Sequence, residues 1–296
     1  MPNQLPGPGE TFLDHVAHFV PEMEPAAAAL ERCGFRLTPF TLQTNREDGA
    51  TVPSGTGNRC AMLRNGYVEI LAATGESPLA AQLRERLSHH AGLHLAAFGT
   101  ADAGAEHRRL AAAGFSTLPL VDMRRPVTFA DESADARFTI ARIAHGSMPE
   151  GRTQFLTHHT ERLVWPTAYL GHPNGATALN ALWFAADDPA EPAARFARFT
   201  GREAVARGAV MTIRLDRGAL HFATPALLAD ALGIVPGGPL PCIVASTILV
   251  DSLTRLEACL DQGAIAHRRV KLPGGNAAVA AALPAALGDT MLFREA

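Results

Sequence analysis

The chain is short of the features that mark several large protein classes. Aromatic residues make up 6% of its 296 positions, with two tryptophans and two tyrosines. No basic stretch is interleaved with them, and there is no finger or arginine-rich arm, so nothing points to a nucleic-acid partner. The 26 basic and 29 acidic residues are spread along the chain and leave a net charge of −3. Four cysteines, Cys33, Cys60, Cys242 and Cys259, lack metal-ligand or redox spacing and read as free thiols in a reducing compartment. There is no apolar run long enough for a membrane-spanning helix. The proline- and glycine-rich start, Met1 to Glu10, lacks the basic-then-apolar order of a signal peptide. The expectation is a cytoplasmic protein without membrane or nucleic-acid partners. Its length suits one large or two medium domains.

What is present is a unit written several times. Leu13 to Val20 is an apolar run with strand character; Glu24 to Cys33 is alanine-rich and helix-like, and Gly34 stops it. Strands are predicted at Phe35–Leu42, Arg59–Leu63 and Tyr67–Leu71. After a linking helix at Ser77–His90, a second unit starts at Gly92–Phe98 and its helix closes at Gly114-Phe115. Pairing Phe19 with Phe98 sets His15 opposite His94, and pairing Tyr67–Leu71 with Arg152–Leu156 sets Glu69 opposite Gln154. The segment from His158 to Gly175 breaks the rhythm and reads as the connection between two halves. A third unit follows at Ala178–Ala186, Pro192–Phe199, Val210–Leu215 and Ala219–Ala223. A fourth runs from Ile243–Val250 through Leu253–Gln262 to Thr290–Phe293. In these two units the polar pair is largely lost, with His221 near the slot of Glu69 and Ser246 near that of His15.

His15 and Glu69 are polar residues in otherwise apolar strands. Burying a carboxylate between Val68 and Ile70 is costly unless it meets a cation or hydrogen-bond donors. His94, between Leu93 and Leu95, poses the same problem more mildly. A lone strand histidine is more often a satisfied core residue than a ligand; three such residues at matching repeat positions shift the balance toward a site.

On Asp14-His15-Val16-Ala17-His18-Phe19-Val20, the loop Gly55-Thr56-Gly57-Asn58-Arg59-Cys60, Gly66-Tyr67-Val68-Glu69-Ile70-Leu71, and His172-Pro173-Asn174-Gly175, the chain resembles glyoxalase-like domain proteins of the vicinal oxygen chelate superfamily (glyoxalase, bleomycin resistance, extradiol dioxygenase). The resemblance implies an α+β fold of four βαβββ units paired into two half-open barrels. Residues 11–172 would form the glyoxalase-like domain and residues 173–296 a degenerate second pair. It further implies one divalent transition metal ion (Zn, Mn, Fe, Co or Ni) held by His15, Glu69, His94 and Gln154. Open coordination positions would take adjacent oxygens of a substrate, and Glu69 would alternate between ligand and base.

The expected activity is that of a metal-dependent lyase or isomerase. A metal-free binding or resistance-type protein is the alternative. An extradiol dioxygenase is disfavoured because the carboxylate falls in unit one and unit two offers Gln154. His158 is a catalytic candidate at the rim, with His159 taking its place if the register shifts. Asn58, Arg59, His159 and His172 are candidate substrate contacts. Pairing of units between chains would give a homodimer.

Overall fold

The computed structural model describes residues 4–47, 50–129 and 132–296. The first apolar run becomes β1 (Phe12–Phe19), buried along its whole length. One of its faces lines a barrel and the other meets helices and a second sheet, which is why it reads as nearly continuous apolar sequence. α1 (Met23–Arg32) buries Ala26, Ala27, Ala29 and Leu30 and ends before Gly34, whose φ is +82°. A side chain there would meet Asn174, its Cβ lying 2.8 Å from that of Asn174. β2 (Thr41–Glu47), β3 (Ala50–Met62) and β4 (Tyr67–Ala73) complete the unit. The second strand starts later than the Phe35–Leu42 run predicts: Phe35 and Leu37 are buried in the core ahead of it, and Phe40 and Leu42 are exposed. α2 (Pro78–Leu87), capped by Ser77 accepting from the Ala80 N–H, links the units.

The second unit is β5 (Gly92–Gly99), α3 (Ala103–Ala112), β6 (Val121–Phe129), β7 (Glu132–Arg142) and β8 (Arg152–His158). A short α4 (Glu161–Val164) and a turn of 3₁₀ helix at Thr167–Tyr169 connect the halves. The third unit is β9 (Ala176–Ala185), α5 (Ala190–Thr200), β10 (Ala204–Arg207), β11 (Val210–Arg214) and β12 (Ala219–Ala223). α6 (Pro225–Leu232) leads to the fourth: β13 (Cys242–Val250), α7 (Leu253–Gln262), β14 (His267–Lys271), β15 (Ala277–Ala282) and β16 (Thr290–Glu295). Four βαβββ units in an α+β fold are thus present.

The first eight strands form a sheet in the order β1-β4-β3-β2-β6-β7-β8-β5 that closes into a barrel. Two residue pairs between β2 and β6, Thr44 with Arg124 and Asn45 with Met123, take it beyond a half-open state. The last eight run β10-β11-β12-β9-β13-β16-β15-β14 and leave β10 and β14 as free edges. One hydrophobic core is shared by both halves, with Leu13, Phe98 and Phe155 from the barrel packed among Phe199, Phe222 and Ile248. The His172-Pro173-Asn174-Gly175 turn belongs to this junction: Asn174 Nδ2 donates to the Cys33 carbonyl at 2.8 Å. Among the described residues no helix is long and apolar enough to cross a membrane.

Candidate active site

Strand pairing defines which residues of the two barrel units correspond. β1 runs parallel to β4 with Ala17 beside Glu69, and β5 runs parallel to β8 with Ala97 beside Gln154. Ala17 and Ala97 are therefore repeat partners, as are Met23 and Ala103, which begin the two helices. On that register the counterpart of His15 is Leu95, and His94 is the counterpart of Asp14. Both Asp14 and His94 sit at β-bulges: pairing between β1 and β5 passes from Leu13 to His15 on one strand and from Leu95 to Leu93 on the other.

The expected four-ligand set is consequently not brought together. His15, Glu69 and Gln154 line one cavity of about 50 Å³ inside the barrel, with Leu95 in the remaining slot. His94 is turned away from it. Its Nε2 lies 2.9 Å from the His90 carbonyl and its ring packs on Phe19. Burial pushes its imidazole down to about 3. The physical reason is the slack of one residue in the repeat, which reverses the side-chain face of a strand.

At the cavity, His15 stacks on Tyr67 with ring centroids 4.3 Å apart. Asp14 Oδ1 lies 2.7 Å from His15 Nδ1, and Asp14 Oδ2 lies 2.9 Å from His158 Nε2. Burial alone would raise the Asp14 carboxyl, but the charge of His158 and the hydrogen bonds from both imidazoles outweigh it and hold Asp14 well below the usual carboxylate range. An ionised Asp14 takes the N–H of His15 Nδ1, so in the neutral ring the lone pair is on Nε2. That nitrogen lies 3.9 Å from Glu69 Oε2. Glu69 Oε1 accepts from Asn58 Nδ2 and, at 3.1 Å, from Gln43 Nε2.

Two arginines share the cavity, and sequence reasoning missed both. Arg142 Nε donates to Gln154 Oε1 at 3.3 Å. Arg152 stands where unit one has Tyr67, pairing with Leu95 as Tyr67 pairs with His15. Its Nη2 is buried and has no hydrogen-bond partner among the described residues. Burial, then the charge of Arg142, draws Arg152 down to about 9, with Glu69 opposing; burial draws Arg142 down to about 10. The alternation of Arg142 with Ile140 and Phe138 along β7 is the one signal that placed it inward.

The remaining predicted residues divide. Asn58 is at the cavity. Arg59, its neighbour on β3, points the other way, donating to the Thr38 carbonyl and to Glu31 Oε1. His158 is buried behind Asp14, between Phe138 and Trp165, and reaches the cavity only through Asp14. His159 is exposed, 2.7 Å from Thr139 Oγ1. His172 is a buried clamp: its Nε2 lies 2.8 Å from the Met62 carbonyl, which fixes Nδ1 as the acceptor for the Arg36 N–H at 3.0 Å.

Among the described residues there is no group of three or more His, Cys, Asp or Glu placed to hold a metal ion. The donors that fit are fewer and mixed: His15 Nε2, Glu69 Oε2 and the Gln154 amide, around one cavity. The Asp14–His15 hydrogen bond is the kind of outer contact that sets the tautomer of a ligating imidazole.

A protein-family model described as a glyoxalase-like domain matches residues 13–200. No curated protein matches. Among solved structures, a hypothetical protein from Staphylococcus aureus superposes with a TM-score of 0.62 at 10% identity, over 97% of this chain and 100% of that one. A mutant of 4-hydroxymandelate synthase from Streptomyces coelicolor gives 0.56 at 12% identity, over 96% and 93%. The Mn(II)-bound glyoxalase from Novosphingobium aromaticivorans gives 0.55 at 11% identity, over 97% and 82%. At these identities the structural likeness is one of fold.

Proposed function

The chain belongs to the glyoxalase-like domain family, within the vicinal oxygen chelate superfamily, and from that premise we propose that it is a metal-dependent lyase or isomerase. Its substrate is small, oxygen-rich and anionic, and the reaction takes place in the barrel cavity. The observation that carries this reading is the pair of His15 Nε2 and Glu69 Oε2, 3.9 Å apart, with the first nitrogen's lone pair set by Asp14. His15 Nε2, Glu69 Oε2 and Gln154 Oε1 would hold a divalent ion, which would supply Lewis-acid polarisation of adjacent substrate oxygens.

Each side chain then has a definable task. Asp14 orients His15, and His158 orients Asp14. Asn58 and Gln43 hold Glu69 through Oε1, so Oε2 would alternate between holding the ion and accepting a substrate proton. Arg142 and Arg152 neutralise the negative charge of the substrate in a site of low dielectric. A space of about 50 Å³ admits only a few atoms, so the chelating end of the substrate is compact. Among the described residues the four cysteines form no disulfide, which is consistent with work in the cytoplasm.

The turned-away His94 and the unpartnered Arg152 Nη2 favour a second reading, a metal-free cup that binds a small anion. Elemental analysis of untagged protein beside a His15→Ala/Glu69→Ala double variant separates the two. About one equivalent of a transition metal in the wild type, lost in the variant, supports the enzyme. No bound metal, and no uptake of Zn²⁺, Mn²⁺, Fe²⁺, Co²⁺ or Ni²⁺ by the apoprotein, sinks it and leaves the binding cup.

A further inference from the structure

The second sheet encloses a separate and much larger space, a cup of about 1200 Å³. Its floor is related to the barrel site by the same pairing rules. Pairing of β9 with β13 skips Asn180 as that of β1 with β5 skips Asp14, which makes Ala181 the counterpart of His15. His221 pairs with Trp183 as Glu69 pairs with Ala17, which places an imidazole where the barrel has its carboxylate. Leu292 takes the slot of Gln154 by its pairing with Thr247. The donor set of the barrel is gone.

A set of cations has replaced it. Arg207, Arg214, Lys271 and Arg294 line the cup, and among the described residues no carboxylate does. They come from four strands: Arg207 and Lys271 end the two free edges, β10 and β14, while Arg214 and Arg294 lie on β11 and β16. Among the described residues none of the four forms an ion pair with an acid; Arg294 instead donates to Asn180 Oδ1 and to a backbone carbonyl. Lys271 is the only lysine in a chain whose net charge is −3. His221 is not a fifth cation, because burial, then the charges of Arg214 and Arg207, push it down to about 4. Its Nδ1 is bonded to Thr212 Oγ1 at 3.1 Å.

Like charges gathered in a concave surface repel one another and focus a positive potential into the space between them. We propose that this cup is a second binding site, for a small multiply charged anion, either phosphorylated or polycarboxylated, held by Arg207, Arg214, Lys271 and Arg294. A single charge would leave most of that field uncompensated, and a cup of this volume is of the size that holds a metabolite. The site is independent of the barrel chemistry.

Calorimetric titration of the full-length protein with pyrophosphate and, separately, with citrate tests it. Saturable binding is expected, weakening as salt is raised. Arg214→Gln/Lys271→Gln should weaken it by at least about tenfold, whereas Glu69→Gln should leave it unchanged. Both cup residues are exposed, so the fold should survive; Arg207→Gln alone provides a milder check. Bound anion should also shield Lys271 from acetylation, read by peptide mass. A response to pyrophosphate alone identifies a phosphorylated ligand, and one to citrate alone a polycarboxylate. No heat with either anion at millimolar concentration, or binding that persists in the double variant, overturns the proposal.

Discussion

Asp14 and His15 are consecutive residues of one strand, yet Asp14 Oδ1 lies 2.7 Å from His15 Nδ1. In a regular strand they would face opposite ways. The bulge between Leu13 and His15 brings both to one side, and the absence of a side chain at Gly99 keeps the space open, since a Cβ there would stand 3.3 Å from Asp14 Oδ2. The bond decides which nitrogen of His15 faces Glu69.

Asp14→Asn tests this role. Each imidazole is bonded to its own oxygen of Asp14 and an amide keeps only one acceptor oxygen, so the tautomer of His15 is released. Affinity for Mn²⁺ should fall by about 10–100-fold, measured by titration of the apoprotein, with the circular dichroism spectrum retained. Wild-type affinity in this variant would remove Asp14 from the site.

His94 and Gln154 should behave differently although the sequence repeat suggests both as ligands. His94→Gln is expected to leave metal stoichiometry unchanged, because His94 is bonded to the His90 carbonyl. Gln154→Leu should weaken metal binding. Metal analysis of the two variants side by side distinguishes this register from one shifted by a residue.

Arg152→Met replaces a guanidinium whose Nη2 is buried and unpartnered by an apolar side chain of similar length. Folding stability should hold or rise, since a buried guanidinium that Glu69 only partly compensates is removed. Binding of oxalate, a small chelating dianion, should be lost. Thermal melts and oxalate titration read the two effects separately, and a variant that melts lower yet binds oxalate normally would contradict both.

His172→Ala should destabilise the fold by roughly 2–3 kcal/mol, because it leaves the buried Met62 carbonyl and Arg36 N–H without their partner. Urea unfolding measures the loss. Metal and oxalate affinities should not change, which separates a structural clamp from a substrate contact.

Acid should destabilise the protein through His18, which is fully buried with Nδ1 3.1 Å from the Leu287 carbonyl. Burial pushes it from 6.5 down to about 4. Its folded pKa is lowered, so its contribution is complete above pH 6.5 and is lost as pH falls toward 4, when the unfolded chain takes up the proton. The full span corresponds to about 3 kcal/mol. His18→Asn, which keeps a donor for Leu287, should flatten the pH dependence of the melting temperature across this window; an unchanged slope would exclude His18 as its source.

The order of units was legible in the sequence because the first helix of each barrel unit carries its own stop, at Gly34 and Gly114. β15 was not legible. Its run Ala277–Ala282 has helical composition and becomes a strand only because its neighbours, β14 and β16, pair with it.

By itself the sequence determined that four like units follow one another, that the first carries His15 and Glu69 in apolar strands, that the second sets Gln154 at the position of Glu69, and that the last two have largely lost the pair. A pattern of alternation along one strand contains that much. Only the tertiary structure decided that His94 leaves the site, that Asp14 and His158 stand behind His15, and that arginines from β7 and β8 enter the barrel while four cations gather in the second cup. These follow from bulges and cross-strand register, which are properties of two paired strands, and neither strand alone encodes them.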